Sequence, residues 1–144
     1  MAPKNILYPL IGCLVLVFLV MLRLMFARNQ TIKDKILNWN SYKVLPAGAE
    51  PPRAAAVTRN FANLFEMPLL FYPVIILMYV TARLNNADVG REAVVLAWAF
   101  VIFRALHSLV HVTFNHVKVR FVFYLASTVA LFILWIDFFS SWHL

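Results

Sequence analysis

Long apolar runs separated by short polar stretches dominate this chain. A helix that crosses a bilayer needs about 20 mostly apolar residues. Four runs meet that length, at about 6–26, 54–84, 88–113 and 119–142. The pattern therefore predicts four membrane-spanning helices.

The connections between these runs predict how the helices are arranged. The segment 27–53 is the only long connection, whereas the turns around Asn85 and Asn115 are short. Short loops join antiparallel neighbours, so we expect an all-α integral membrane protein, a four-helix up-and-down bundle. Little sequence remains outside the spans, and we expect a single domain over 1–144.

Local signals refine this picture. Pro68 and Pro73 predict a kink in the second span, because proline lacks a backbone donor and clashes with the preceding turn. Asp88 is a candidate N-cap for the third span. Apolar positions at helical spacing over 31–40 favour either a short interfacial helix or a disordered polar loop. The segment 46–52 (PAGAEPP) predicts a break before the second span.

Composition supports a membrane protein and excludes several other classes. The chain is 63% hydrophobic and 13% charged, with a mean hydropathy of +0.80. Soluble domains are about 45–50% apolar and about 25% charged. The single cysteine, Cys13, lies in the first span, allows no intrachain disulfide and has no zinc-site spacing. That span is longer than the apolar core of a cleavable signal, so we expect it to be retained.

The distribution of basic residues predicts an orientation. Seven lysines and arginines lie in the segments that join spans 1–2 and 3–4, against three on the other side: Arg28, Lys33, Lys35, Lys43, Arg53, Lys118 and Arg120 against Lys4, Arg83 and Arg91. The positive-inside rule then places the first loop in the cytoplasm and both termini outside. The net charge of +7 suits contact with anionic membrane lipids. No soluble basic module is present, so we expect no nucleic-acid partner.

Four arginines lie within or at the ends of the spans: Arg23, Arg59, Arg104 and Arg120. In an up-and-down bundle their span ends meet at the same membrane face. Ionisable groups in spans are costly, so they usually face the bundle interior and mark function. The sequence therefore predicts a cationic pocket that receives an anion.

Polar side chains accompany these arginines at helical spacing. In the second span, Arg59, Asn63 and Glu66 are spaced i, i+4, i+7 and share one face of a continuous helix. They form either a ligand site or a packing network between helices. Arginines pair with carboxylates and Glu66 with an amine, so a zwitterionic or polyanionic ligand would fit.

The third and fourth spans add to the pocket. Arg104, His107 and His111 share a face in the third span, and Tyr124 follows Arg120 by one turn in the fourth. The two histidines have the spacing of a helical metal pair. No cysteine supplies a third ligand, and we expect no metal. Tyr124 is either a ligand contact or an ordinary interfacial residue.

The ordered set of these residues resembles the MAPEG family, the membrane-associated proteins in eicosanoid and glutathione metabolism. The resemblance covers nearly the whole chain, and its spacing is similar to that of the prostaglandin E synthase branch. It is carried by Arg59-x-x-x-Asn63-x-x-Glu66, by Arg104-x-x-His107, and by Arg120 followed by Tyr124.

The resemblance implies a homotrimer that binds glutathione between subunits near the cytoplasmic face. Arg59, Asn63 and Glu66 would hold the peptide backbone and amine of glutathione. Arg104, His107 and Tyr124 would line the same pocket, and Arg120 would stabilise the thiolate. Arg23 or Arg28 would contact glutathione from the end of the first span.

The chain also departs from the family pattern. Alanines stand at 55 and 56, where the family often has a Glu-Arg pair, and at 62, where prostaglandin-type members have an arginine. His111 replaces a common tyrosine, and Phe121 stands where a small hydroxyl residue can follow the arginine.

Three functional hypotheses follow. The first is a glutathione-dependent membrane transferase or peroxidase that acts on lipophilic electrophiles. The second is a non-catalytic member of the same fold that binds a lipid or anion or regulates a membrane partner. The third is a small transporter or proton pathway built on Glu66, His107 and His111, although no repeat symmetry or discontinuous-helix signal supports it.

Overall fold

A computed structural model of the protein describes residues 1–44 and 49–141, and all its regular structure in these ranges is helical. The five α-helices are α1 (Leu7–Lys33), α2 (Pro52–Asn63), α3 (Pro68–Leu84), α4 (Arg91–Val112) and α5 (Val117–Ser141). Short 3-10 helices cover Pro3–Ile6 and Trp39–Tyr42.

Four helical segments are long and apolar enough to cross a membrane, which confirms the predicted four spans. They are Pro3–Lys33, Pro52–Leu84, Arg91–Val112 and Val117–Ser141. The second combines α2 and α3. The predicted end of the fourth span, at residue 142, lies outside the described residues.

The apolar core lies where α1, α3, α4 and α5 meet. Phe71 and Phe100 stack at its centre, with ring centroids 4.3 Å apart. Cys13 is fully buried in this core, and its Sγ lies 3.7 Å from the Tyr72 hydroxyl. Many large apolar side chains point outward, as expected where lipid rather than water surrounds the helices.

The second span is broken, as its prolines predicted. α2 ends at Asn63, residues 64–67 form a turn, and α3 begins at Pro68. Proline suits the first turn of a helix, where its missing N–H leaves no hydrogen bond unmade. Pro73 lies inside α3 without ending it.

The first connection differs from both interpretations of 31–40. α1 continues to Lys33, and the next helical segment is the 3-10 helix at Trp39–Tyr42. Asn38 and Ser41 cap that segment reciprocally. The predicted short helix over 31–40 is therefore wrong, because the first span simply runs on beyond its apolar part. Residues 45–48, which include the first three residues of the predicted break at 46–52, lie outside the described residues.

The predicted N-cap of the third span is also wrong. α4 begins at Arg91, after Gly90, and no side chain caps it. Asp88 instead lies 3.6 Å from the amino group of Met1, which also donates a 2.7 Å hydrogen bond to the Val89 carbonyl.

α4 and α5 form the most extensive helix–helix contact in the described chain. The turn between them includes Asn115, which adopts a positive φ of 49°. Asparagine tolerates this left-handed conformation better than most residues. The tight turn places the beginning of α5 beside the end of α4, and the candidate site lies at this junction.

Candidate functional site

Arg104 is the most unusual residue of the site. Its side chain is fully buried, and none of its three nitrogens has a hydrogen-bond partner among the described residues. The guanidinium carbon lies 4.8 Å from the centroid of the Tyr124 ring, within range of a cation–π interaction. An aromatic face only partly offsets the cost of burying a charge.

His107 joins α4 to α5 one turn beyond Arg104. Its Nδ1 lies 2.8 Å from the carbonyl oxygen of Arg120, so Nδ1 carries the proton and donates. In a neutral ring Nε2 is then an acceptor, and it is buried without a described partner. The rings of His111 and Tyr124 lie 5.6 and 5.8 Å from that of His107.

Arg120 has its guanidinium at the outer end of this cluster. Its Nη1 donates to Nε2 of His111 at 3.0 Å and to Oδ1 of Asn115 at 2.7 Å. Because the guanidinium is the donor, His111 accepts through Nε2 and carries its own proton on Nδ1. The side chain of Arg120 is thus held by the end of α4 and by the turn that follows.

The polar residues of the second span lie alongside this face of α4. Glu66 interacts electrostatically with Arg104, and Arg59 with His111. Arg59 and Glu66 are seven residues apart, as are Arg104 and His111. The earlier residue of one segment thus lies near the later residue of the other, so the two segments are antiparallel. Asn63 then lies at about the level of His107.

The predicted single helical face in the second span is only partly correct. Arg59 and Asn63 lie on α2, whereas Glu66 lies in the turn after its end. Arg59 and Glu66 are exposed and Asn63 is half-buried. The interruption between α2 and α3 therefore leaves the Glu66 carboxylate on the surface of the bundle rather than within it.

The four arginines do not all lie at the same level along α4. Arg23 lines a cavity of about 400 Å³ together with His111 and Asn115, near the end of α4. Arg104 lies eight residues before that end, which is about 12 Å along the helix. The site thus has an inner cation, Arg104, and outer cations that include Arg120 and Arg59.

The buried polar residues that the sequence did not predict include two near the site. Asn60 on α2 is fully buried and Ser108 on α4 is 3% exposed, and neither side chain has a hydrogen-bond partner among the described residues. Asn60 follows the buried Val57 by three residues, and this spacing was the available signal. The neighbouring Arg59 was assigned to the polar face of the second span instead.

No group of three or more histidine, cysteine or acidic side chains is placed to hold a metal ion among residues 1–44 and 49–141. The two histidines of α4 are instead engaged with α5, one with the backbone and one with the side chain of Arg120.

Comparisons with known proteins place the chain at the level of a family. Neither the comparison with curated proteins nor that with solved structures gives a significant match. The model of the MAPEG family matches residues 6–139, and this protein therefore belongs to the MAPEG family.

Proposed function

We propose that this protein is a glutathione-dependent membrane enzyme, a transferase or peroxidase that acts on lipophilic electrophiles. The observation that carries the proposal is Arg104, a fully buried guanidinium without a described hydrogen-bond partner. A polar or anionic ligand would offset its desolvation. The MAPEG family includes glutathione transferases and peroxidases, and also non-catalytic members, so glutathione is the first ligand to consider.

The polar residues beside α4 match the functional groups of glutathione. Arg59 offers a bidentate partner for a carboxylate, and the Asn63 amide both donates and accepts. Glu66, exposed at the end of the stripe, suits an ammonium group. Arg104 and Tyr124 would bind the part of glutathione that enters deepest.

Arg120 is the residue we assign to thiolate stabilisation. Glutathione supplies the nucleophilic sulfur when bound, and a cation beside a thiol increases its thiolate fraction. Only Nη1 of Arg120 is engaged by His111 and Asn115. A guanidinium has five N–H donors, so Nε and Nη2 remain for the sulfur.

The proposal includes a homotrimer with glutathione bound between subunits. On one chain Arg59 and Glu66 are exposed although they belong to the polar stripe. A neighbouring subunit would cover them. Motif spacing favours the prostaglandin E synthase branch, whereas Ala62 and Phe121 depart from it, so we propose no particular lipid substrate.

Thermal stability in a glutathione titration tests the binding site. A ligand that binds only the native state raises the melting temperature of the detergent-purified protein. We expect a concentration-dependent rise that Glu66→Ala abolishes. Glu92→Ala removes a carboxylate in the first turn of α4 and is the matched control. It should respond like the unmodified protein. No shift at millimolar glutathione would contradict the proposal.

Turnover tests the role of Arg120. Arg120→Ala should abolish conjugation of glutathione to a chlorinated nitroaromatic while trimer formation is retained. Arg83→Ala, at the end of α3, controls for the loss of one arginine. Full activity of Arg120→Ala would disprove the assigned role.

A second candidate is a non-catalytic MAPEG protein that binds a lipid or anion or regulates a membrane partner. It is favoured by the hydrogen bonds that hold Arg120 against α4 and by the alanines at 55, 56 and 62. In that case conjugation would not exceed the uncatalysed rate even where glutathione binds.

A further inference from the structure

A cavity of about 400 Å³ lies where α1, the beginning of α2 and the end of α4 meet. Its lining includes Arg23 from α1, Arg53 and Ala56 from α2, His111 from α4 and Asn115 from the turn. No carboxylate lines it. The short side chain of Ala56 adds no charge to the lining.

Arg23 and Arg53 have no ion-pair partner among the residues that the structure describes. Both also line an adjacent cavity of about 640 Å³ and therefore form the wall that the two cavities share. Asp34 lines only that adjacent cavity, where its carboxylate accepts a 2.8 Å hydrogen bond from Gln30. The guanidinium groups are thus available to an external anion.

The beginning of α2 borders the cavity through Pro52 and Arg53. Pro51 occupies the N-cap position without a side-chain hydrogen bond, and the first turn has no acidic residue. Ala55 is the first residue whose N–H bonds to the Pro51 carbonyl, at 2.9 Å. The N–H groups of Arg53 and Ala54 have no partner within the helix, and a helix N-terminus attracts anions.

His111 gives a second and independent indication of a ligand. Its side chain is 2% exposed and lines the cavity. Because Nε2 accepts from Arg120, the proton of a neutral ring is on Nδ1. That Nδ1 is buried and has no described partner. It is therefore an unpaired donor next to a cavity whose charged groups are all cations.

We propose that this cavity binds a phosphate group. Two arginines, a helix N-terminus and an imidazole N–H together present many donors, which matches the several oxygens of a phosphate. The phosphate belongs either to the headgroup of an anionic phospholipid or to a free soluble phosphate. The cavity lies at the outer end of α4, whereas Arg104 lies deeper. It borders the proposed glutathione site, because His111 and Asn115 line the cavity and also accept hydrogen bonds from Arg120.

The experiment uses the full chain purified in detergent. Its melting temperature is measured while inorganic phosphate or dioctanoyl phosphatidic acid is titrated at constant ionic strength, with dioctanoylglycerol, which lacks the phosphate group, as the control. We expect a saturable rise with at least one phosphate probe and none with dioctanoylglycerol. A response to phosphatidic acid at much lower concentration than to inorganic phosphate assigns the site to lipid, and equal responses assign it to free phosphate.

Arg53→Gln should weaken the apparent affinity for phosphate about tenfold, as expected for the loss of a charge-assisted contact. Arg91→Gln, an exposed arginine at the start of α4, should leave the affinity unchanged. Ala56→Glu, compared with Ala56→Gln, tests the same cavity by charge repulsion and does not rely on the folding of Arg53→Gln. In each of these variants the response to glutathione should persist.

Two results would overturn the inference. One is the absence of a saturable rise with either phosphate probe. The other is an unchanged phosphate response in both Arg53→Gln and Ala56→Glu. A glutathione response that disappears together with the phosphate response would assign the cavity to glutathione and would also reject a separate phosphate site.

Discussion

A single guanidinium largely determines the chemistry of the interior. Arg104 is fully buried next to Tyr124, with no described hydrogen-bond partner. Removing one partner from a buried charged group is costly, whereas replacing a buried charge by an apolar side chain of similar size is often neutral or stabilising. The buried arginine therefore lowers the free energy of unfolding unless a ligand compensates its charge.

This cost leads to a prediction for Arg104→Met. Without glutathione, the variant should be as stable as the unmodified protein or more stable, by up to about 1–4 kcal/mol, because an uncompensated charge is removed. With glutathione, it should show no further stabilisation. Melting temperatures with and without glutathione measure both effects.

Arg91→Met is the control for this experiment, because Arg91 is exposed at the beginning of α4. It should change neither stability nor the glutathione response by a measurable amount. A marked destabilisation of ligand-free Arg104→Met would show that the arginine serves mainly to hold the helices together.

At the scale of elements, the helix contacts place the residues of the site. The tight turn at Asn115 positions Arg120 so that its backbone reaches His107 and its side chain reaches His111. The break before Pro68 positions Glu66 at the level of Arg104. The positions of Arg120 and Glu66 therefore depend on the turn residue Asn115 and on Pro68, not on the helix propensity of the site residues.

α1 packs against α4 through a glycine. A Cβ built on Gly12 would lie 3.2 Å from Cζ3 of Trp98 and 3.4 Å from Cγ1 of Val101. Small residues at such points allow membrane helices to approach closely. The contact keeps α1 beside α4, and further along the same two helices Arg23 and His111 line one cavity.

Gly12→Leu should therefore destabilise the protein by about 1–3 kcal/mol, the usual cost of overpacking. The expected result is a lower melting temperature in detergent and a weaker phosphate response, because α1 is displaced from α4. Gly90→Leu is the matched control, since the Cβ there would approach only the carboxylate end of Glu92, at 3.4 Å. Equal melting temperatures for the two variants would contradict this account of the α1–α4 contact.

At the scale of the whole molecule, the sequence predicts the spans well because bilayer thickness constrains their length and composition. It did not predict that α1 continues to Lys33, because a helix beyond the bilayer no longer needs apolar residues. Helical spacing places Arg104, His107 and His111 on one face of α4, and all three residues are buried.

The remaining features of the site depend on relations between helices. The position of Arg59 near His111 depends on the register of α2 against α4, and no periodicity within either helix encodes that register. The burial of Asn60 likewise depends on which side of α2 meets its neighbours. Local spacing predicts a face, but only packing decides what that face contacts.

Charge asymmetry across the four spans leads to the last prediction. Seven of the 13 lysines and arginines lie in or beside the first connection and the α4–α5 turn, and the positive-inside rule predicts that both connections face the cytoplasm. Cys13 is the only cysteine and is fully buried, so the unmodified protein should react little with a membrane-impermeant maleimide. In intact cells, Ala87→Cys should be labelled from outside, whereas Asn40→Cys should be labelled only after the membrane is permeabilised. Both positions are exposed in the structure, so a reversed pattern would mean an inverted orientation, with the phosphate cavity and the outer cations on the extracytoplasmic side.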